Sequence, residues 1–276
     1  MGSILLPAMA TAGSSLRVRP AAVSDLFYPG DPRELEDVVR TLLLNDNAER
    51  PLPKALIAPH AGYVYSGPTA AAAFRLLKAT ASQIRRVVLI GPSHRVPFRG
   101  LAVPSVDAFE TPLGRIPIDS AARRALLELT PVRLTDSPHA QEHSLEVELP
   151  FLQVMLEEFE LLPIAAGDAT SAEVADALEC AWGGPETLVV VSTDLSHYHG
   201  YAQARLIDQA TNEAILTYST QLDGEQACGC VGLNGFLAAA RRHGLRIQLE
   251  DLRNSGDTAG DRKRVVGYGA WSLYDA

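Results

Sequence analysis

Apolar and polar positions along the chain fall into two alternating patterns. Short unbroken apolar runs occur at 54–58 (KALIA), 86–90 (RVVLI) and 187–192 (TLVVVS). The first two are stopped by Pro59 and by Gly91-Pro92. Runs this short, without polar alternation, are expected of strands buried on both faces. Further strands are read at 160–164, 246–252 and 265–273, and a weaker one at 101–106. Helix-period segments lie between them, at 67–78 after the start signal Ser66-Gly67-Pro68, and at 120–129, 171–182, 201–217 and 230–243. Residues 142–158 read as a longer helix containing Pro150.

Buried strands spaced by amphipathic helices predict an α/β fold, with a central sheet covered by helices on both faces. The connections around 101–106 are too short for parallel crossovers, so the sheet is expected to be mixed. No Gly-, Pro- or Ser-rich linker divides the chain and no internal repeat is visible. The expected organisation is a disordered segment at 1–15 and a single domain at 16–276.

Composition removes several function classes. The chain has 276 residues, with 24 basic against 33 acidic, for a net charge of −9. Such a surface repels phosphate backbones, so no nucleic-acid partner is expected. No apolar run approaches the ~20 residues of a membrane span, so no membrane partner is expected either. The N-terminal stretch has no basic region of a secretory signal, and Leu6 stands where a myristoylation motif wants Ser or Thr. Cys180, Cys228 and Cys230 are too few and wrongly spaced for a disulfide framework. Their odd number fits a reducing, cytoplasmic setting. There is no G-x-G-x-x-G, no Walker loop and no G-x-S-x-G elbow.

The chemistry collects at strand ends. The run KALIA leads into His60, RVVLI into His94, and TLVVVS into Asp194 and His197. Ligands in open α/β sheets bind outside the carboxyl ends of strands. If these strands are neighbours, the three imidazoles meet in one crevice. Histidine is the commonest metal ligand and titrates near neutrality, so the group points to metal binding or proton transfer. His139 and His143 are four residues apart, and His143 is the better placed for the site. Glu142 is explained as an acidic residue at a helix start. Cys228-Gly229-Cys230 precedes a helix, as a plain turn or as a thiolate aimed at a metal. Cys180 reads as core, and Asn254-Ser255-Gly256-Asp257 as a structural turn.

Several blocks occur in a recognisable order. They are Arg19-Pro20-Ala21-Ala22-Val23, Phe27-Tyr28-Pro29, Ala58-Pro59-His60-Ala61-Gly62-Tyr63, Gly91-Pro92-Ser93-His94 and Glu142-His143-Ser144-Leu145-Glu146. Thr193-Asp194-Leu195-Ser196-His197-Tyr198, Ala227-Cys228-Gly229 and Asn254-Ser255-Gly256-Asp257 follow. Over 19–273 the chain resembles the Memo-like family, whose bacterial and archaeal members are called AmmeMemoRadiSam system protein B. The resemblance implies a fold similar to the catalytic subunit of class III extradiol dioxygenases, which are non-haem iron(II) enzymes. It implies a mononuclear metal site at His60, His94 and Cys228, with Asp194 and His197 beside it and His143 lining it. Iron(II) is then the expected ion. Copper and zinc are the alternatives, because a thiolate ligand is soft. The expected activity is redox chemistry of dioxygenase type on a small hydroxylated substrate. His197, oriented by Asp194, would act as general base, and Tyr63 and Tyr198 would line the pocket. The alternatives are a non-catalytic metal- or peptide-binding module on the same fold, and a zinc-type hydrolase. The family name also implies radical-SAM system partner proteins.

Overall fold

All six residues of TLVVVS are buried, and this run forms the middle of a large sheet. The computed structural model describes residues 16–44, 51–80 and 82–275, so the expectation for 1–15 lies outside the described residues. In chain order the strands are β1 (Val18–Arg19), β2 (Ala55–Ala58), β3 (Arg86–Pro92), β4 (Leu101–Val103), β5 (Ala108–Thr111), β6 (Gly114–Pro117), β7 (Val132–Leu134), β8 (Glu160–Ala166), β9 (Thr187–Ser192), β10 (His197–His199), β11 (Arg246–Asn254) and β12 (Val265–Tyr274). The helices are α1 (Pro32–Leu42), α2 (Tyr63–Phe74), α3 (Ser120–Leu126), α4 (Ser137–Ala140), α5 (Leu149–Met155), α6 (Ser171–Ala181), α7 (Tyr201–Leu216) and α8 (Cys230–Arg242).

The main sheet runs β10-β12-β2-β9-β3-β8-β4-β7, with β11 paired to β12. Its centre, β2-β9-β3-β8, is parallel, while β12 joins β2 and β4 joins β8 antiparallel. The sheet is therefore mixed, and the chain is a single-domain α/β protein. A small sheet, β1-β5-β6, sits apart. No described helix is long and apolar enough to cross a membrane.

Side chains alternate across the central strands, as the pleat requires. Leu56, Leu89 and Val190 pack on one face against Leu35, Val39, Phe74 and Phe151 from α1, α2 and α5. Ile57, Val88, Ile90 and Val189 pack on the other against Val174, Leu178, Leu233 and Phe236 from α6 and α8. Two buried faces are why these runs read as continuously apolar. The helices α6 and α8 approach so closely that a Cβ at Gly235 would lie 2.3 Å from Val174 Cβ.

Three expectations need correction. The helix placed at 67–78 begins at Tyr63 and gives way after Phe74 to a 3₁₀ turn, Arg75–Thr80. Its cap is Gly62, so Gly67 and Pro68 lie inside it. The helix placed at 142–158 is not continuous. Residues 142 and 143 are irregular, Glu146–Glu148 form a 3₁₀ turn, and only Leu149–Met155 are α-helical. Pro150 sits in the first turn of α5, where its missing N–H costs nothing. Cys180 is exposed, not core. The buried stripe of α6 is Val174, Ala177, Leu178 and Ala181, and residue 180 falls on the opposite face with Glu173 and Asp176.

The irregular stretch before α5 is held by a buried ion pair. The Arg19 guanidinium, on the short strand β1, binds the Glu146 carboxylate, and both side chains are buried. Glu146 also accepts Ala22 N–H at 2.8 Å, Val23 N–H at 3.0 Å and the Tyr28 hydroxyl. Arg19 Nε donates to the carbonyl of His139 at 3.0 Å, and a terminal nitrogen donates to that of Glu142. Every strong polar group here has a partner, which is the condition for tolerating charge in a core.

Replacing Arg19 by Met strands the Glu146 carboxylate in the interior. We expect a loss of about 3–5 kcal/mol in chemical denaturation, the cost of breaking a buried pair from one side. His139 supplies a pH test. Its ring is buried and donates from Nε2 to the Ala102 carbonyl at 3.1 Å. Burial lowers its pKa from 6.5 to about 4. Above pH 6.5 the ring is neutral in both folded and unfolded chains. Below it only the unfolded chain takes up the proton, so stability falls as pH drops from 6.5 towards 4. The full effect is roughly 3 kcal/mol, from about 1.4 kcal/mol for each pH unit. Urea midpoints measured across this window should slope less in His139→Gln than in the parent.

Candidate metal centre

Three neighbouring parallel strands, β2, β9 and β3, end side by side, and their C-terminal loops carry the site. His60 lies two residues beyond β2, His94 two beyond β3, and Asp194 two beyond β9. The expected adjacency of the histidine-bearing strands is therefore what the sheet order delivers. The His60 and His94 rings lie 5.2 Å apart, nearly perpendicular.

A third ring joins them from the irregular stretch before α5. His143 stacks on His94 at 4.7 Å and meets His60 edge-on at 5.3 Å. One nitrogen from each of His60, His94 and His143 lies within 4.8 Å of the others, so the three could hold one metal ion. Phe27 covers His143 at 4.7 Å. His60 is buried, whereas the side chain of His94 is 31% exposed, so the crevice opens on the His94 side.

Glu142 organises two of these rings. Its carboxylate accepts His94 N–H at 2.6 Å, His94 Nδ1–H at 2.9 Å, His143 N–H at 2.9 Å and Ser144 N–H at 3.0 Å. His143 Nδ1 is 3.2 Å away. Burial opposes ionisation, but the His143 and His94 side chains and the Ser144 N–H outweigh it, and the carboxyl is held far below its usual range. With Nδ1–H of His94 engaged, its Nε2 carries the free lone pair. This is the carboxylate–imidazole arrangement that orients metal ligands.

His60 is set differently. Its Nδ1 lies 2.7 Å from Ser192 Oγ, on the last residue of β9, and its backbone N–H donates to Asp194 Oδ1 at 2.8 Å. Burial and the nearby His143 and His94 rings push its pKa well below 6.5, so the ring is neutral and available as a ligand.

Cys228 lies against the other side of His60, with Sγ 3.3 Å from Nε2. Asp194 N–H donates to that sulfur at 3.3 Å. Gly229 follows because a Cβ there would lie 2.8 Å from the Ser192 carbonyl oxygen. Burial and the Asp194 carboxylate raise the thiol's pKa, the reverse of the depression a helix N-terminus alone would cause. The geometric trio is therefore His60, His94 and His143, with Cys228 touching His60 from beside it.

The other expected residues take varied places. Asp194 is buried and is spent on His60 N–H. Burial raises its pKa, and the charge of His197 is the foremost influence opposing this. No hydrogen bond or ion pair joins Asp194 to His197 among the described residues, so the expected orientation of His197 by Asp194 is not formed. His197 lies half-buried on β10, at the sheet edge. Tyr198 is 63% exposed, with φ of 63° and Arg264 4.9 Å from its ring. Tyr63 does not line an open pocket. It is buried between Tyr28 and Phe151, and its hydroxyl donates to the Val147 carbonyl at 2.8 Å. Glu142, expected as a helix-start acid, lies in irregular backbone and binds His94 instead, and Glu148 and Ser192 are not singled out by the sequence. The available signal is Glu146 and Glu148 alternating with Leu145, Val147 and Leu149 just before Pro150.

A family model described as Memo-like protein matches residues 19–272. The chain belongs to the Memo-like family. It is 35% identical over 266 residues to a MEMO1 family protein of Aquifex aeolicus, covering 92% of this chain and 98% of that one. It is 31% identical over 272 residues to one from Nitrosopumilus maritimus, with 92% and 98% covered. For one from Archaeoglobus fulgidus the identity is 33% over 268 residues, with 91% and 97% covered. Among solved structures, an uncharacterized protein of Escherichia coli K12 superposes with a TM-score of 0.50 at 14% identity, covering 80% of this chain and 99% of that chain. That likeness concerns the fold alone.

Within this Memo-like chain, Glu142→Gln is the sharpest test of how the site is built. The amide offers one acceptor oxygen where four N–H groups now find two. Each buried donor left unpaired costs about 1–3 kcal/mol. Chemical denaturation should show a loss of that order or more, and the His94 and His143 imidazole NMR signals should shift together. A change at His94 alone would show that the carboxylate does not couple the two rings.

Proposed function

We propose that this Memo-like protein binds one metal ion between His60, His94 and His143, with Cys228 as a further donor. The observation that carries this reading is the meeting of three imidazoles, two of them backed through Nδ1, by Glu142 and by Ser192. The donor set fits an ion that accepts imidazole, namely iron, copper or zinc. A sulfur donor at Cys228 shifts the balance towards copper and zinc, whereas the resemblance to extradiol dioxygenase subunits favours iron(II). Bound iron(II) would supply oxygen-dependent redox chemistry.

The chain's own residues would do the rest. Glu142 and Ser192 hold the ligand rings in one tautomer each. Asp194 fixes the His60 loop through its backbone N–H and offers its own N–H to the Cys228 sulfur. His197, on the edge strand β10, would take a proton from a small hydroxylated substrate entering on the exposed His94 side. Tyr198 forms part of the rim. The radical-SAM system partner proteins implied by the family name belong to the same reading, as does a cytoplasmic setting in which Cys180, Cys228 and Cys230 stay as free thiols.

Elemental analysis of protein purified without added metal tests the core of this. We expect stoichiometric iron in the parent chain and its loss in His94→Ala, the variant least disruptive to the interior. Stoichiometric zinc would instead support the hydrolase reading. An intact chain that retains no ion and cannot be loaded would remove the metal reading altogether and leave the non-catalytic module. Cobalt(II) loading then addresses the thiol. A sulfur-to-cobalt absorption band should be present in the parent and in His143→Ala, and absent in Cys228→Ser.

A further inference from the structure

Behind His60 lies a fully buried carboxyl, Glu148, that no step above uses. Ser192 Oγ stands at the junction of three close contacts. It is 2.6 Å from the Ser144 carbonyl oxygen, 2.8 Å from Glu148 Oε1 and 2.7 Å from His60 Nδ1. A serine hydroxyl has one proton to give and lone pairs to accept two. The Ser144 carbonyl can only accept, so the Ser192 proton goes there. Both remaining contacts must then be donated to Ser192. His60 supplies Nδ1–H, and Glu148 supplies a carboxylic O–H.

The second oxygen of Glu148 points to the same assignment. Glu148 is 0% exposed, and its Oε2 has no hydrogen-bond partner among the described residues. An ionised carboxylate in that position would leave half its charge unsolvated and unpaired. A neutral acid leaves only a carbonyl-type oxygen, a far smaller penalty. Burial, the dominant cause, and the nearby Asp194 carboxylate also raise the Glu148 pKa. The adjoining Glu146 shows the contrast, since it is equally buried but has a guanidinium, two N–H groups and a phenol around it.

We propose that Glu148 is a positioning residue, held as a neutral acid whose O–H donates to Ser192 and thereby locks His60 with its proton on Nδ1 and its lone pair on Nε2, facing Cys228 and the imidazole cluster. The chain Glu148–Ser192–His60 then does for His60 what the Glu142 carboxylate does for His94, but with the polarity of the hydrogen bonds reversed. The consequence for an ion rests on the metal-binding reading. The proton assignment itself is a property of the metal-free chain, so the two can fail separately.

The test uses the full chain after chelator treatment. Infrared spectroscopy at neutral pH should show the carbonyl stretch of a buried protonated carboxylic acid, lost in Glu148→Gln. Nitrogen-15 NMR of labelled histidine should show His60 protonated on Nδ1 and bare on Nε2. The pattern should persist in Glu148→Gln, whose amide also donates to Ser192, and lose its single form in Glu148→Ala, where the Ser192 hydroxyl is released to turn between Ser144 and His60. Zinc(II) titration should find Glu148→Ala roughly 10–100-fold weaker than the parent, as for other groups that orient a ligand, with Glu148→Gln close to the parent. A proton on His60 Nε2 in the parent, or no protonated-acid band that depends on Glu148, would overturn the proposal. So would a Glu148→Gln chain that fails to fold, because glutamine supplies the same donor in nearly the same shape. Normal proton assignments with no zinc binding by any chain would leave the positioning in place and sink only the metal reading.

Discussion

A carboxylate can accept hydrogen bonds and cannot give one, and the site is built on that limit at Glu142. Its two oxygens gather N–H groups from His94, His143 and Ser144, which come from two different parts of the chain. Moving either loop would leave buried donors without acceptors. The rings of His94 and His143 therefore stack because one anion anchors the ring of His94 and the backbone of His143, and not through any strong attraction between imidazoles. The carboxylate stays ionised despite its burial because the N–H groups around it outweigh the desolvation.

That arrangement depends in turn on the stretch 141–145 leaving the helical path between α4 and the 3₁₀ turn. Arg19 takes the carbonyls of His139 and Glu142 and the carboxylate of Glu146, so it occupies groups that a helix would pair internally. A strand of two residues at the edge of the small sheet thus fixes the shape of a segment more than a hundred positions later. The arginine is far from the crevice in its chemistry but close to it in its effect. It sets where residue 143 can be.

Three buried glutamates within seven positions illustrate how environment decides protonation. Glu142 is surrounded by N–H donors that keep it ionised, and Glu146 meets an arginine, N–H groups and a phenol. Glu148 meets one hydroxyl, has no partner for its other oxygen among the described residues, and cannot carry its charge. The same side chain therefore serves as an anion that orients His94 and as a neutral acid that orients His60. Both devices engage Nδ1 and so leave Nε2 as the free nitrogen of the ring.

The sequence alone was enough for the sheet and the address of the site. Strands buried on both faces must be apolar throughout, so 54–58, 86–90 and 187–192 announced themselves, and their loops carry His60, His94 and Asp194. The short strands β1, β5, β6, β7 and β10 passed unnoticed because two to four residues hold too little periodicity. Helix α1 was overlooked although Asp31 and Pro32 mark its start. Cys180 has apolar neighbours in sequence but lies on the polar face of α6, so helix phase and not local composition decides its exposure. Only the tertiary structure decided which third group joins His60 and His94, and that the apparent helix at 142–158 is broken. The reason is physical. Local pattern reports what a segment would prefer by itself, whereas the positions of His143, Glu142 and Glu148 follow from partners at residues 19, 94 and 192, which no local pattern contains.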